Sequence, residues 1–335
     1  MRYRITRPRS FYLIVVLPIL VFVFSDYGIE AFGYYGFPPE AWKDVDLPDA
    51  HGLDALTLRY RFLTFTLAFY VVVVACIAFP LRDLTTRFKG RSRTVIAIGF
   101  MLIAVVASIP AFWPVGDGGR HPTNQLIDAT LFESALTQMQ FESKLFPTFL
   151  DFYEFTIDIN KVLAIAVVAL NITCAVAIAC SHPVPPPRSR QPLMSRLHRQ
   201  SGDFKRYMYL SSLFLVVGIL QLQSWLKLPA YVFVDGAQRQ AFEALADSIV
   251  FYYSMTFSLV IVVFAVPGLL VMRESSQRLV ARTLEPGAID YQQSLISRMK
   301  GLGFGLFSVE GMQSVLAVLA PVIAGSLDFT KLLSG

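Results

Sequence analysis

The chain has 335 residues, 55% of them hydrophobic and 16% charged, with a formal net charge of +5. Soluble domains carry about 25% charged residues, so too few are present to cover a water-facing surface. The charges also cluster between long uncharged runs, which excludes a large soluble core as the source of the apolar composition.

Six such runs follow one another: Phe11–Ser25, Phe62–Pro80, Thr94–Val115, Val162–Ser181, Tyr207–Trp225 and Ser248–Met272. Crossing a ~30 Å hydrocarbon core takes about 20 apolar residues, and five of the runs meet that length. The first is short, and relies on Arg7 and Arg9 snorkelling and on Tyr12 and Tyr27 at the two interfaces. Arg2, Arg4, Arg7 and Arg9 ahead of an apolar stretch resemble a signal peptide. The small-residue cleavage pattern is missing, however, since Val23-Phe24-Ser25-Asp26-Tyr27 follows, and an uncleaved anchor is expected.

The predicted fold is therefore all-α: a polytopic transmembrane helix bundle of six spans with a cytoplasmic N-terminus and a helical C-terminal tail. Residues 1–181 form a four-span block with outer loops at 26–61 and 116–161. A Pro-rich basic linker occupies 182–206, a two-span block 207–272, and a cytoplasmic or re-entrant tail 273–335.

Charge sets the orientation. With the N-terminus inside, the segments 1–10, 81–93, 182–206 and 273–335 hold 21 of the 29 Lys and Arg residues but only 7 of the 24 acidic ones. Basic residues near span ends favour the cytoplasmic side. Trp42, Trp113 and Trp225 fall on the outer side. Cys76, Cys174 and Cys180 lie within spans, so no structural disulfide is expected. The outer loops lack an Asn-x-Ser/Thr sequon, which points toward a bacterial inner membrane.

In chain order, the first outer loop turns acidic at Asp44, Asp46, Asp49, His51 and Asp54. Oxygen ligands there would suit calcium, and His51, or His121 from the next loop, would shift the choice to a transition metal. The spacing matches no established cation loop, so a solvated acidic face is the preferred reading and no metal or other cofactor is expected. The second outer loop predicts a helix over 125–146, capped at Thr123 or Asn124. The linker at Pro183–Arg190 reads as a semi-rigid polyproline spacer near anionic headgroups.

In the last span Pro267 and Gly268 predict a bend, either a hinge or a packing adaptation. The tail is predicted to turn at Glu285-Pro286-Gly287. The stretch Met312–Leu327 keeps a stripe of Met312, Val315, Leu316, Leu319, Val322, Ile323 and Leu327 opposite the small residues Ala317, Ala320, Ala324 and Gly325. It is expected to be a packing or oligomer-forming helix, in the cytosol or re-entrant, with a seventh span as the alternative.

The search for chemistry finds little. No span has an ionisable residue at its centre, where coupling ions bind, and no zinc helix, nucleophile elbow or P-loop is present. Asn171, Gln221 and Gln223 are expected to bond neighbouring helices, or to line a pore if several copies surround an axis.

The sequence therefore predicts a non-enzymatic membrane subunit acting as sensor, anchor or assembly partner. The alternatives are an oligomeric pore gated at Pro267-Gly268, and a transporter of an uncharged or lipidic substrate. The expected partners are the lipid bilayer and either further copies of the chain or another membrane subunit, with no nucleic acid.

Overall fold

An apolar surrounding offers the backbone no water, so a helix, which bonds its own N–H and C=O groups, is the conformation such runs adopt. The computed structural model describes residues 2–33, 53–112, 149–184, 193–228, 230, 236–281 and 309–326. Among them are seven helices: α1 (Pro8–Gly33), α2 (Leu53–Thr86), α3 (Arg91–Phe112), α4 (Phe149–Ala179), α5 (Leu193–Leu226), α6 (Gly236–Ala281) and α7 (Val309–Ser326). Two short strands, β1 (Arg2–Ile5) and β2 (Ser181–Val184), pair antiparallel. The predicted helix at 125–146, the polyproline stretch from 185 and the turn at 285–287 lie outside the described residues.

Helices α1 to α6 each contain a stretch long and apolar enough to cross a membrane. They contain the six runs except at the end of the third and of the fourth, and several extend well past them. Helix α5 has 34 residues, about 51 Å at ~1.5 Å per residue, so the second half of the basic linker is helical. Large aliphatic side chains stand exposed around the bundle, among them Leu13, Leu67, Val74, Met101, Leu213 and Leu270. Apolar side chains facing outward on helices this long are compatible with a chain that crosses a membrane several times.

Helix α4 is the centre. In its apolar stretch 67% of the residues are buried, against 28% in each of α1, α2 and α3. It packs against all five other long helices. Composition explains this: from Val162 to Ala179 it carries no aromatic residue and many alanines, so it is a thin rod that neighbours approach from every side. Asn171 adds a polar tie, donating through Nδ2 to the carbonyl of Cys76 in α2 at 3.0 Å and to its own Val167 carbonyl at 2.9 Å.

Helix α7 lies along α5 and α6. Ser212 of α5 bonds the carbonyl of Ala317 at 2.5 Å, and Ala324 is buried in a cluster with Ile219, Leu226, Ala246 and Val250. A Cβ on Gly325 would fall 1.8 Å from the Ser254 hydroxyl of α6, so only glycine permits this approach. Val315, Leu316, Leu319 and Ile323 point outward. The small-residue side thus faces the bundle, and these four aliphatics of the expected packing stripe form the outer surface.

Helix α6 runs unbroken through Pro267. A Cβ on Gly268 would lie 2.9 Å from the Phe204 ring of α5 and 3.6 Å from Ala179 of α4, so the glycine serves a close three-helix approach. The short link between α2 and α3 turns at Gly90, whose φ of 52° is left-handed and costs a glycine nothing. Arg93 closes this corner, donating from Nε to the carbonyls of Leu84 and Phe88 and from Nη2 to that of Thr85. The carbonyls of Leu84 and Thr85, in the last turn of α2, have no partner within the helix.

Candidate functional site: a cavity between the six long helices

The two ends of the bundle differ in construction. At one end, here the basic end, α2, α4 and α6 finish and α3 and α5 begin. Strand β1 crosses this end. It pairs with β2 in the register Tyr3 to Pro183 and Ile5 to Ser181. The Tyr3 amide donates to the Arg87 carbonyl at 3.0 Å, and the Ile5 amide to the Ser92 hydroxyl at 3.2 Å. The alternation Arg2-Tyr3-Arg4-Ile5 puts Tyr3 and Ile5 on the inner face, where the Tyr3 ring meets Phe88 at 5.7 Å between centroids.

Beneath β1 lies a buried ionic cluster. Arg87 pairs with Asp203 at 2.5 Å and with Asp83 at 3.1 Å. Tyr3 donates to Asp203 at 2.6 Å and Tyr207 donates to Asp83 at 2.9 Å. One cation thus holds two carboxylates, each also bonded by a phenol, which ties β1, α2 and α5 together. Burial, reinforced by the neighbouring Asp203 carboxylate, pushes the Tyr3 phenol far above its ordinary range, so it stays protonated and donates. Gln200 bonds the carbonyls of Ile178 and Ser181, both at 2.8 Å, closing the end of α4.

At the opposite, distal end the same helices line a half-open cavity of about 330 Å³. All six long helices contribute to its wall: Phe22 and Ser25 of α1, Phe69 of α2, Ile103 of α3, Asn160 to Val168 of α4, Phe214 to Trp225 of α5, and Tyr253 to Phe257 of α6. The volume sits at the lower end of the ~300–1,000 Å³ range of small-molecule sites, and a largely apolar and aromatic wall with a few polar groups is their usual composition.

Those polar groups include Ser25, Asn160, Lys161, Gln221 and Thr256. Ser25 and Thr256 bond each other at 2.9 Å, and Tyr252 donates to the Ser25 carbonyl at 2.7 Å, joining α1 to α6. Asn160 is different. Only 8% of it is exposed, and neither Oδ1 nor Nδ2 has a hydrogen-bond partner. Leaving a buried polar group unsatisfied costs about 1–3 kcal/mol; both amide atoms are covered by protein, so an occupant of the cavity reaches them only after the side chain rotates. Lys161 stands next to it, one-third exposed, with the exposed Asp158 at 3.3 Å.

The residues singled out by sequence divide. Gln221 lines the cavity. Gln223 lies outside the lining, donating at 3.3 Å to Asp247, which Lys227 also engages at 2.8 Å. Asn171 joins α4 to α2, while Pro267 and Gly268 lie toward the basic end. Ala317 and Ala324 face the bundle on α7 and Ala320 is half-buried beside them. Asp46, Asp49 and His51 lie outside the described residues, and Asp54 falls in the first turn of α2. Among the described residues no group of three or more acidic, histidine or cysteine side chains is placed to hold a metal ion.

Asn160 and Lys161 were not singled out by sequence, because they precede the apolar run and read as loop. The available signal was their position one turn before Ala164, at the depth where a membrane interface would lie.

No family model matches the chain, and neither does any curated protein or solved structure. The fold and the cavity thus define its class, a helix bundle with six long apolar helices among the described residues, compatible with a multi-pass membrane protein.

Proposed function

We propose that this is a non-enzymatic, multi-pass membrane protein that holds an uncharged or lipidic molecule inside its bundle, as a transporter or lipid-handling protein does. The observation that carries the reading is the distal cavity, walled by six helices and containing an enclosed amide with no partner. An anchor or assembly subunit has no need of such a space. A pore is less well supported, because Asn171 and Gln223 are engaged between helices and β1 crosses the basic end.

Gly218 provides the test. It lines the cavity, and a Cβ there would meet nothing within 4 Å, so Gly218→Phe starts a large side chain from an open position on the cavity wall. Wild-type protein purified in mild detergent is expected to carry a lipidic molecule visible by native mass spectrometry, and the variant to lose it. Equal recovery from a folded Gly218→Phe variant would remove the support for this reading.

The proposed setting is a bacterial inner membrane, with the basic end in the cytoplasm. That orientation is supported by the 21 of 29 basic residues that fall in the inside segments. Helix α7 is proposed to lie within the membrane beside α5 and α6, its outward aliphatics facing lipid. A cysteine placed at Ser334 that labels only from outside would support a full crossing; labelling only from inside would favour a re-entrant path.

A further inference from the structure

On α4 the cavity wall changes character along the helix axis. Asn160 and Lys161 come first; Ala164, Ile165 and Val168 follow one and two turns further in, level with an apolar chamber lined by Phe69, Ile103 and Phe214. Lys161 is the one formally charged residue among the described lining residues. Its partner Asp158, three residues earlier on the same helix, is exposed, and an exposed pair of this kind exchanges readily.

We infer that the cavity takes a single-chain amphiphile with an acidic head, its head at Asn160 and Lys161 and its chain directed toward Phe69 and Phe214. This rests on the ligand-holding reading above. A carboxylate or phosphate oxygen accepts from Asn160 Nδ2 and from Lys161 Nζ together, and a hydroxyl or water carried by the head donates to Asn160 Oδ1. By rotating toward the head the buried amide gains the partners that the protein itself withholds, and Lys161, once it exchanges Asp158 for the head, favours an anion over a cation or a neutral head. A volume near the bottom of the ~300–1,000 Å³ range suits one chain and not two. Trp225, also in the lining, belongs to a residue type favoured where an apolar chain meets a polar head.

The probes are the fluorescent fatty acid cis-parinaric acid and its neutral methyl ester, bound to the full-length protein in detergent. The acid is expected to bind about tenfold more tightly than the ester, a difference equivalent to ~1.4 kcal/mol. Lys161→Gln should bring the acid down to the affinity of the ester and leave the ester unchanged, which also reports that the variant is folded. Gly218→Phe should abolish both. If acid and ester bind alike and Gly218→Phe removes both, the acidic head is overturned while the cavity reading stands. If neither probe responds to Gly218→Phe, both are overturned. Competition identifies the source: displacement by sodium palmitate assigns a free fatty acid, displacement by palmitoyl lysophosphatidate alone assigns a membrane lipid, and displacement by neither overturns the inference.

Discussion

The basic and distal ends of the bundle use the same helices for opposite purposes. At the basic end charged and phenolic groups are tied to one another: Arg87 holds Asp83 and Asp203, Tyr3 and Tyr207 donate to those carboxylates, and β1 closes over them. At the distal end about 330 Å³ is left open beside an amide with neither atom bonded. A bundle that is tied at one end can leave the other under-packed, because the ties supply stability that the cavity forgoes. Sites that bind are commonly less stable than the scaffold around them.

Substitutions at the two ends should therefore differ in size and even in sign. The largest effect is expected from Asp203→Ala, which leaves Arg87 and Tyr3 without their shared acceptor. The loss should be about 3 kcal/mol, the low end for breaking a buried pair because this one is not fully enclosed. It should appear as a lower midpoint in thermal unfolding in detergent, with Asp203→Asn recovering part of it. A midpoint unchanged by Asp203→Ala would show that the cluster does not hold the basic end.

Next is Gly268→Ala. The added methyl would press on the Phe204 ring, and overpacking of this kind costs about 1–3 kcal/mol. Gly218→Ala, facing the cavity, should instead gain up to ~1 kcal/mol from helix propensity. The two glycines differ by fifty positions but by opposite packing environments, and equal effects would erase the contrast drawn between the ends.

Asn160→Leu should be neutral or stabilising by about 1 kcal/mol, since it removes an enclosed group that has no partner. Tight binding of parinaric acid should weaken in the same variant. A variant both less stable and unaltered in binding would indicate that the amide is structural. The smallest effect belongs to Arg7→Ala. Its pairing with Glu274 at 2.9 Å is on the surface, and no measurable change in the unfolding midpoint is expected at ordinary salt.

Much of the architecture was legible in the residues, and for identifiable reasons. The runs from Phe62 and Val162 announce helices because length and apolarity act locally, along one segment. Pro267 and Gly268 were legible as unusual, yet the helix passes through them unbroken, and what Gly268 does depends on Phe204 arriving from another helix. The antiparallel pairing of β1 with β2 was not legible: the partners of Tyr3 lie about 180 residues away, and the arginines of β1 read only as a charged flank. The orientation of α7 was half legible. Its two faces were visible, but which faced inward was decided by the close approach to Ser212 and Ser254.

The candidate site was the least legible part. Gln221 stood out because it is polar within an apolar run, but so did Gln223, and two residues apart on a helix they face about 200° away from each other. One lines the cavity and the other meets Asp247. Nothing local distinguishes them.

By itself the sequence determined where the six long apolar helices run and where along the chain the basic residues gather, because each follows from composition counted along one segment. Tertiary structure alone decided that β1 seals the basic end, that α7 turns its small residues inward, and that side chains from six helices fail to fill the distal end. A cavity is a property of the space between segments, and its volume depends on the angles and side-chain sizes of all of them together.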